Sequence, residues 1–199
     1  MTVPAQPPQD AFFTVCVFCG SSTGDNPLFV AAARDLGHRI AAARWSLVFG
    51  GGDVGLMGEA ARAVRALGQP VHGVLPEFLQ QRERPMSHGE SLELTQDLQS
   101  RKRRMLAISQ AFVLLPGGFG TLDEFFEVLT EAQLGVQAKP IILVDTADYF
   151  APLMGLLEHV VRHGFARPES LALVRRVPDG AAAIKILKQA EDRARHSRR

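Results

Sequence analysis

Cysteine is scarce in this chain: among 199 residues, only Cys16 and Cys19 carry a thiol. Two thiols are too few for the disulfide framework that small secreted proteins use in place of a large core. An excess of charge of one sign is also lacking, since 22 lysines and arginines face 21 aspartates and glutamates, and the formal net charge is +1. A nearly neutral chain generates no large field to attract nucleic acid or an anionic membrane. Any charged ligand must therefore be held by local groups.

Long apolar runs are missing as well. No segment approaches the roughly 18 apolar residues that a membrane-spanning helix needs. Residues 1–10 contain prolines and lack the basic-then-apolar layout of a secretory signal, so a cytoplasmic location is expected. No glycine is followed by lysine, so the chain has no Walker A loop. These absences argue against a membrane partner, a nucleic-acid partner and a P-loop NTPase.

What the chain does have is a regular alternation of apolar strand-like runs and amphipathic helix-like segments. Strands are predicted at 12–18, 46–49, 71–75, 92–95, 111–115, 140–144 and 171–177, and helices at 27–44, 56–67, 99–110, 121–134, 149–162 and 180–190. Several strands are apolar on both faces, which is typical of a parallel sheet covered by helices on both sides. The sequence predicts one α/β domain over residues 11–190 with a doubly wound parallel sheet. Residues 1–10 are expected to be a disordered tail and residues 191–199 a basic, frayed tail.

Residues 116–121, with the sequence PGGFGT, form the most informative loop. Ligands of such sheets bind beyond the carboxyl ends of the strands, so the loops that follow strands matter most. This loop ends an apolar strand and contains glycines whose amides a ligand can approach closely. It then opens a helix, with Thr121 as the expected cap, whose free N–H groups and dipole favour phosphate. The alternative is a tight turn without a ligand, but a turn alone seldom needs three glycines.

Two other glycine-rich loops also follow predicted strands. Residues 50–55, GGGDVG, match the glycine pattern of dinucleotide-binding proteins, and Glu77 follows the next strand, where an acid could hold a ribose. A lone match is weak, and a mononucleotide lying across several loops explains both phosphate loops better than NAD does. Residues 20–24, GSSTG, match the nucleophile elbow of serine hydrolases. Because residues 25–27 delay the helix after Ser22, a ligand-contacting turn is the favoured interpretation.

The helix after residues 116–121 carries both apolar and acidic residues. Its predicted core stripe consists of Leu122, Phe125, Phe126 and Leu129, spaced i, i+3, i+4 and i+7. The acids off that stripe are Asp123, Glu124, Glu127 and Glu131. The helix dipole suffices to explain Asp123. Glu124 lies one turn beyond the phosphate loop, where a carboxylate can face the sugar of a nucleotide, stabilise an oxocarbenium ion and direct water.

Residues 101–104, RKRR, begin a helix, where positive charge opposes the dipole, so compensating groups are expected. Either these residues form a solvated face, or some of them contact a phosphate or a base. Cys16 and Cys19 form a C-x-x-C pair inside a strand and are expected to pack in the core rather than act in redox chemistry. His159 and His163 are expected on a solvated helix face, and no structural metal is predicted.

Four segments together resemble the LOG (LONELY GUY) family of cytokinin riboside 5′-monophosphate phosphoribohydrolases, long mislabelled as lysine decarboxylases. They are residues 19–22 (CGSS), 48–58 (VFGGGDVGLMG), 101–102 (RK) and 116–124 (PGGFGTLDE). The resemblance extends from about residue 12 to residue 187, and the pairing of RK with PGGxGTxxE is highly specific. It implies a Rossmann-like fold and a homodimer with sites near the subunit interface. It further implies hydrolysis of the N-glycosidic bond of an adenine nucleoside 5′-monophosphate to free base and ribose 5-phosphate.

The resemblance also implies roles for individual residues. Arg101 and Glu124 match the catalytic pair of the family. The implied substrate contacts are Gly20, Ser21, Gly51, Gly52, Met57, Glu83, Lys102, Pro116, Gly117, Gly118, Phe119, Gly120, Thr121 and Thr130. Three positions depart from the family pattern: Gln81 replaces a usual proline, Gln99 a histidine and Glu131 a tryptophan. The last two changes concern the base side of the pocket and leave the substrate range open. No cofactor is implied.

Two other classes of protein fit parts of this pattern. One is a non-catalytic carrier of a nucleotide or cofactor with a related fold, against which the retained Arg101 and Glu124 argue. The other is an NAD-dependent oxidoreductase built on residues 50–55. Lysine decarboxylation is not expected, because nothing in the sequence marks a lysine site for pyridoxal phosphate.

Overall fold

The structure is a computed structural model that describes residues 12–80 and 91–196. Within these residues, one seven-stranded sheet has the strand order β4-β3-β2-β1-β5-β6-β7, and every neighbouring pair is parallel. The strands are β1 (Thr14–Phe18), β2 (Ser46–Phe49), β3 (Val71–Pro76), β4 (Ser91–Thr95), β5 (Ala111–Leu114), β6 (Ile141–Val144) and β7 (Val174–Val177). The chain builds outward from β1 to β4 and then returns to β5 on the other side of β1. The crevice of such a sheet lies where the order reverses, beyond the carboxyl ends of β1 and β5.

Helices cover both faces of the sheet. They are α1 (Pro27–Ala42), α2 (Gly55–Ala66), α3 (Leu98–Ile108), α4 (Phe119–Gln133), α5 (Ala151–Arg162) and α6 (Gly180–His196). Successive residues of β1 enter opposite apolar clusters: Val15 and Val17 pack with α1, α2 and α6, whereas Cys16 and Phe18 pack with α3, α4 and α5. Strands buried on both faces explain the continuous apolar runs in the sequence. The predicted doubly wound α/β fold is confirmed.

Most predicted elements are present with small shifts of their ends. Asn26 caps α1, because its side chain accepts a hydrogen bond of 3.0 Å from the Leu28 N–H. The last strand begins only at Val174, since Pro168–Leu173 forms a 3₁₀ helix instead. The predicted end of the last helix at residue 190 is also wrong, because α6 continues to His196. Basic residues in its last turn suit the helix dipole, and Arg195 pairs with Glu191 at 2.7 Å.

The predicted core stripe of α4 is partly wrong. Phe125 is fully buried as expected, but Phe126 is 39% exposed, and Val128 takes its place in the core. The buried face of α4 also includes Thr121 and Glu124, two polar residues. Polar side chains on a buried face need partners. The helix is therefore turned toward the site described next, and its apolar spacing alone did not give its orientation.

Over the ranges that the structure describes, no helix is long and apolar enough to cross a membrane. The same residues contain no group of three His, Cys, Asp or Glu side chains arranged as metal ligands.

Candidate active site

Three glycine-rich loops meet at the carboxyl ends of β1, β2 and β5. The Gly20 N–H donates a hydrogen bond of 3.0 Å to the Pro116 carbonyl, and the Gly20 carbonyl accepts from Leu56 at 3.0 Å and from Met57 at 3.3 Å. A Cβ on Gly117 would overlap the Thr121 hydroxyl and lie 2.8 Å from the Gly20 nitrogen. The first loop therefore joins the other two, and the contact is too close for a side chain at residue 117.

The predicted phosphate loop, residues 116–121, leads directly into α4, but Thr121 is not the cap. The cap is Gly118, with extended dihedral angles of φ −86° and ψ −157°, and it makes no side-chain capping bond. Thr121 lies in the first turn and is 4% exposed. A Cβ on Gly118 or on Gly120 would meet no atom within 4 Å, so the backbone is bordered by open space there. Because the first amides of a helix have no partner within the helix, this end of α4 can accept an anion.

The first amides of α2, unlike those of α4, are not available to an anion. This helix follows the GGGDVG loop, with Val54 as its cap and Gly55 in a left-handed conformation at φ +57°. Its first amides are already occupied, because Leu56 and Met57 donate to the Gly20 carbonyl. A pyrophosphate would have to displace that contact. The geometry therefore disfavours the NAD interpretation of the second loop and favours the open end of α4 for phosphate.

The first loop does not form a nucleophile elbow. α1 begins at Pro27, well after the serines of residues 20–24, and its amino end is capped by Asn26. Ser21 and Ser22 are exposed, and Gly24 has φ +70°, where a Cβ would lie 2.9 Å from the ring of Phe29. A serine at an elbow must sit at the start of a helix, so the structure excludes the nucleophile-elbow interpretation of this loop.

Arg101 of α3 and Glu124 of α4 lie side by side above this crevice. Arg101 Nη2 is 3.4 Å from Glu124 Oε1, and the two side chains are 12% and 9% exposed. Charges removed from water to this degree are costly unless they are paired. The separation exceeds the 2.7–2.9 Å or so of a tight charge-assisted hydrogen bond, so the guanidinium keeps donor capacity for a ligand. The structure thus brings together the two residues that the sequence assigned to catalysis.

The end of β2 shapes the position of the guanidinium. A Cβ on Gly50 would overlap Arg101 Nη2 and lie 2.9 Å from the sulfur of Met57. Arg101 Nε is buried and, within the described part of the chain, has no hydrogen-bond partner. A buried donor without an acceptor is rare and is expected mainly where function requires it. Gly50 was not among the predicted site residues, although its place at the end of a strand was a signal.

Cys16 and Cys19 belong to the two opposite apolar clusters of the core. Cys16 and Cys19 are buried and free. Burial raises the pKa of both thiols, and the negative charge of Glu124 raises it further. Both groups therefore remain neutral thiols at physiological pH, and neither is a nucleophile or redox centre. The predicted packing role is confirmed.

Lys102 joins α3 to α4. Its ammonium is 3.0 Å from Asp123 Oδ2 and 2.9 Å from Glu127 Oε2, and the residue is 4% exposed. Burial lowers the pKa of Lys102, but the two carboxylates more than offset this, and the net pKa lies above its ordinary value. Asp123 thus balances a buried cation, and the dipole explanation given for it from the sequence is incomplete.

The other two basic residues at the start of α3 differ in how their positive charge is balanced. Arg104 pairs with Glu93 of β4 at 2.8 Å, and Arg103 is exposed. The acids that balance the basic start of α3 therefore come from α4 and β4. Of residues 101–104, only Arg103 fits the interpretation as a solvated helix face.

Other predicted contacts are buried in the loop after β2 or exposed on α4. Gly51 is buried at φ +81°, where a Cβ would lie 3.0–3.1 Å from Leu92 and Leu75, and Gly52 is buried beside it. Thr130 is exposed on α4, about 9 Å along the helix axis from Glu124. The structure does not bring Thr130 to the pair within one chain. Glu83 lies outside the described residues.

Tyr149 is a site residue that the sequence did not reveal. Its hydroxyl donates a hydrogen bond of 2.5 Å to the carbonyl of Gly117 in the phosphate loop. It follows β6, whose carboxyl end lies at the same edge of the sheet as those of β1 and β5. That position was the available signal.

Comparison with known proteins identifies the relatives of this chain. Residues 57–187 match the family described as "Possible lysine decarboxylase". The probable cytokinin riboside 5′-monophosphate phosphoribohydrolase LOGL2 of Oryza sativa subsp. japonica is 39% identical over 181 residues, which cover 91% of this chain and 74% of that protein. The cytokinin riboside 5′-monophosphate phosphoribohydrolase LOG7 of Arabidopsis thaliana is 38% identical over 180 residues, covering 90% of this chain and 83% of that protein.

Solved structures show the same fold at lower identity. The molybdenum cofactor binding protein of the phototrophic bacterium Rippkaea orientalis has a TM-score of 0.69 at 21% identity, over 90% of this chain and 98% of that one. The molybdenum cofactor carrier protein of Chlamydomonas reinhardtii has a TM-score of 0.70 at 22% identity, over 92% and 99%. Such identities establish the Rossmann-like fold alone. The family match and the curated relatives go further: the chain belongs to the LOG family of cytokinin riboside 5′-monophosphate phosphoribohydrolases and is a hydrolase.

Proposed function

We propose that this chain hydrolyses the N-glycosidic bond of adenine nucleoside 5′-monophosphates, cytokinin-type or plain, and releases the free base and ribose 5-phosphate. The observation that carries the proposal is the buried Arg101–Glu124 pair, one turn along α4 from an open helix start that has no side-chain cap. The start of α4 would bind the 5′-phosphate, and the carboxylate one turn beyond it would lie near the anomeric carbon at the other end of the ribose.

The 5′-phosphate is proposed to bind the amides of Gly118, Gly120 and Thr121. These groups combine free N–H donors with the positive end of the α4 dipole. No side chain caps this end of α4, and no acid lies in its first turn to compete with an anion.

Glu124 then faces the ribose. Cleavage of the bond at the anomeric carbon leaves positive charge on the sugar, which a buried carboxylate stabilises more strongly than water does. Glu124 directs a water molecule to that carbon, and the water oxygen forms the new bond as the base departs with the bonding electron pair. The attacking water gives up one proton and the departing base takes up one, so the products are the free base and ribose 5-phosphate. Arg101 fixes Glu124 and contacts the nucleotide.

The other contacts implied by the family remain proposals. They are Gly20, Ser21, Gly51, Gly52, Met57, Glu83, Lys102, Pro116, Gly117, Phe119 and Thr130. Because Thr130 is exposed and distant from Glu124 in one chain, its proposed role requires a site close to a second copy. No resident cofactor is proposed. The proposed setting is the cytoplasm, where Cys16 and Cys19 stay reduced.

A homodimer is supported by an exposed apolar surface beside the site, here called the α4 surface. It consists of Phe119, Phe126, Leu134 and Val136, which are 93%, 39%, 71% and 69% exposed. These residues follow α4 from the phosphate loop to the turn after the helix. Apolar side chains grouped in this way are typical of a protein–protein interface. A two-fold dimer through this surface would place both sites near the interface.

The test is base release. The protein is incubated with AMP and with isopentenyladenosine monophosphate, with the two ribosides as controls, and free base is measured. Release from the monophosphates and not from the ribosides is expected. Glu124→Gln keeps the shape of the side chain and removes its charge, so turnover is expected to fall about 100-fold or more. Glu158→Gln, on the exposed face of α5, is the matched control.

Two outcomes would contradict the proposal. Wild-type turnover by Glu124→Gln would show that the carboxylate is not catalytic. Tight AMP binding without base release from either monophosphate would instead support a carrier of related fold.

A further inference from the structure

Tyr149, the only tyrosine in the chain, contacts the phosphate loop from outside it. Its hydroxyl donates to the Gly117 carbonyl at 2.5 Å. The ring is held edge-on between Phe29, at 5.5 Å and 78°, and Phe150, at 5.1 Å and 86°. Two aromatic neighbours leave the tyrosine side chain little freedom to rotate. The hydroxyl is therefore fixed in place at the loop.

The turn that delivers Tyr149 is strained. Ala147 and Asp148 have φ angles of 55° and 56°, a left-handed conformation that is unfavourable for residues other than glycine. Arg176 of β7 holds this turn through ion pairs with Asp145 and, at 2.7 Å, with Asp148. Asp145 also accepts a hydrogen bond of 2.6 Å from the Phe150 N–H. Strain of this kind persists where the surroundings enforce it and often accompanies a function.

The geometry of one peptide links this contact to the proposed phosphate site. In a trans peptide, the carbonyl of Gly117 and the N–H of Gly118 point in opposite directions. Tyr149 holds the carbonyl on its own side, so the Gly118 N–H faces the other side. That amide is one of those proposed to bind the 5′-phosphate, and this inference therefore rests on the proposed function.

The same peptide is free to flip in the absence of a restraint. A flip changes φ of Gly118 by about 180°, from −86° to about +94°, a region that glycine enters readily. The flipped peptide would present the Gly117 carbonyl to the phosphate and repel it. We propose that Tyr149 is a positioning residue that holds the Gly117–Gly118 peptide in the orientation that binds phosphate.

The first experiment compares the unaltered chain with Tyr149→Phe, which keeps the ring and removes the hydroxyl. Dissociation constants are measured for AMP and ribose 5-phosphate, which carry the phosphate, and for adenosine, which does not. Loss of one neutral hydrogen bond is expected to weaken AMP and ribose 5-phosphate about threefold to tenfold. Adenosine binding is expected to be unchanged, a pattern that general disruption of the site would not give. In turnover, KM for the monophosphate rises and kcat is retained.

A second variant separates peptide orientation from a direct contact between Tyr149 and the phosphate. Alanine at residue 118 fits the observed φ of −86°, and its Cβ meets no atom within 4 Å. The flipped φ of about +94° is unfavourable for alanine. Tyr149→Phe is therefore expected to change phosphate affinity by less than about twofold in a Gly118→Ala background. An unreduced effect in that background would show that the hydroxyl acts directly and would overturn the inference.

Thr14→Val is the control variant. It also removes a hydroxyl that donates to a backbone carbonyl, that of Phe12 at 3.5 Å, but it does so at the opposite end of the sheet. This variant should leave all three affinities unchanged. If Tyr149→Phe binds AMP as tightly as the unaltered chain, or loses adenosine affinity to the same extent as AMP affinity, the inference fails and the proposed function is unaffected. Binding without hydrolysis by the unaltered chain contradicts only the proposed hydrolysis. If the unaltered chain binds neither AMP nor ribose 5-phosphate, the phosphate site and the inference both fail.

Discussion

Arg101 places its Nη2 atom in the volume that a side chain on Gly50 would fill. The same atom is 3.4 Å from the carboxylate of Glu124. The end of β2 thus leaves room for the guanidinium, and the guanidinium in turn borders the proposed catalytic acid. A glycine that contacts no substrate in the proposal therefore controls the geometry of two residues that do.

Gly50→Ala is expected to lower kcat/KM about 10- to 100-fold. The φ of Gly50 lies outside the left-handed region, so alanine is allowed by the backbone, and the new methyl displaces Arg101 and Met57. A misplacement of about 1 Å at a catalytic group has this order of effect. The unfolding free energy should fall by only about 1–3 kcal/mol. Steady-state base release and urea unfolding measure the two quantities.

Gly155→Ala is the matched control for this change. Gly155 lies inside α5, where a Cβ would meet no atom within 4 Å. Alanine there should stabilise the helix by up to about 1 kcal/mol and leave turnover unchanged. Unchanged turnover in Gly50→Ala would show that the position of Arg101 is not critical.

The fold was predictable because its signals are local and repeated. Apolar runs such as 111–115 and 140–144 alternate with amphipathic segments, and this order alone specifies a parallel sheet with two helical layers. The orientation of α4 was not predictable in the same way. Phe126 fits the apolar stripe by spacing, but the helix buries Glu124 instead, because Arg101 supplies a partner across the crevice.

The candidate site could be proposed from the sequence where its parts are contiguous. Residues 116–124 contain the phosphate loop and the acid together, and Arg101 was found through the family resemblance. Tyr149 and Gly50 were missed because their roles depend on contacts between distant segments. Nothing in the local sequence of Tyr149 indicates that its hydroxyl reaches Gly117, and the shape of Gly50 matters only once Arg101 lies above it.

Lys102→Met is expected to destabilise the protein by about 1–3 kcal/mol at pH 7.5. The substitution leaves Asp123 and Glu127, one helical turn apart on α4, with no cation between them. The folded pKa of Lys102 lies above its ordinary value of 10.5, so its stabilising effect is complete below that pH and is lost as the pH rises through the folded pKa. Urea unfolding at pH 7.5 and 11 should therefore show a smaller difference between the two chains at pH 11.

Arg103→Met controls for the loss of one positive charge from α3, since Arg103 is exposed. Its effect should stay within about 0.5 kcal/mol at both pH values. An equally small effect of Lys102→Met at pH 7.5 would contradict a structural role for the ion pairs.

His72→Gln is expected to reduce the loss of stability in mild acid. His72 Nδ1 lies 2.5 Å from the Ser91 hydroxyl, and Nε2 lies 3.2 Å from Glu93, which Arg104 also contacts. Burial lowers the pKa of His72, and the interaction with Glu93 opposes this shift only in part. The folded state therefore favours the neutral ring. The stabilising effect is present above the ordinary pKa of 6.5 and is lost as the pH falls through the lowered pKa.

Urea unfolding at pH 7.5 and 5.5 checks the sign. The unaltered chain should lose more unfolding free energy over this interval than His72→Gln does. His159→Gln, on the exposed face of α5, should behave like the unaltered chain. If all three chains lose the same free energy, the titration of His72 is not linked to folding.

Leu134→Glu is expected to convert the proposed dimer to a monomer at micromolar concentration. Leu134 is 71% exposed in one chain and belongs to the α4 surface together with Phe126 and Val136. In a two-fold dimer each substitution occurs twice, so the interface would lose two apolar contacts and would have to desolvate two carboxylates. The dissociation constant of the dimer should rise about 100-fold, as measured by size-exclusion chromatography with light scattering. Phe165→Glu, at an 84% exposed position beyond α5, should leave the mass unchanged. An unaltered chain that is monomeric throughout, or a variant with the mass of the unaltered chain, would show that the α4 surface does not mediate self-association.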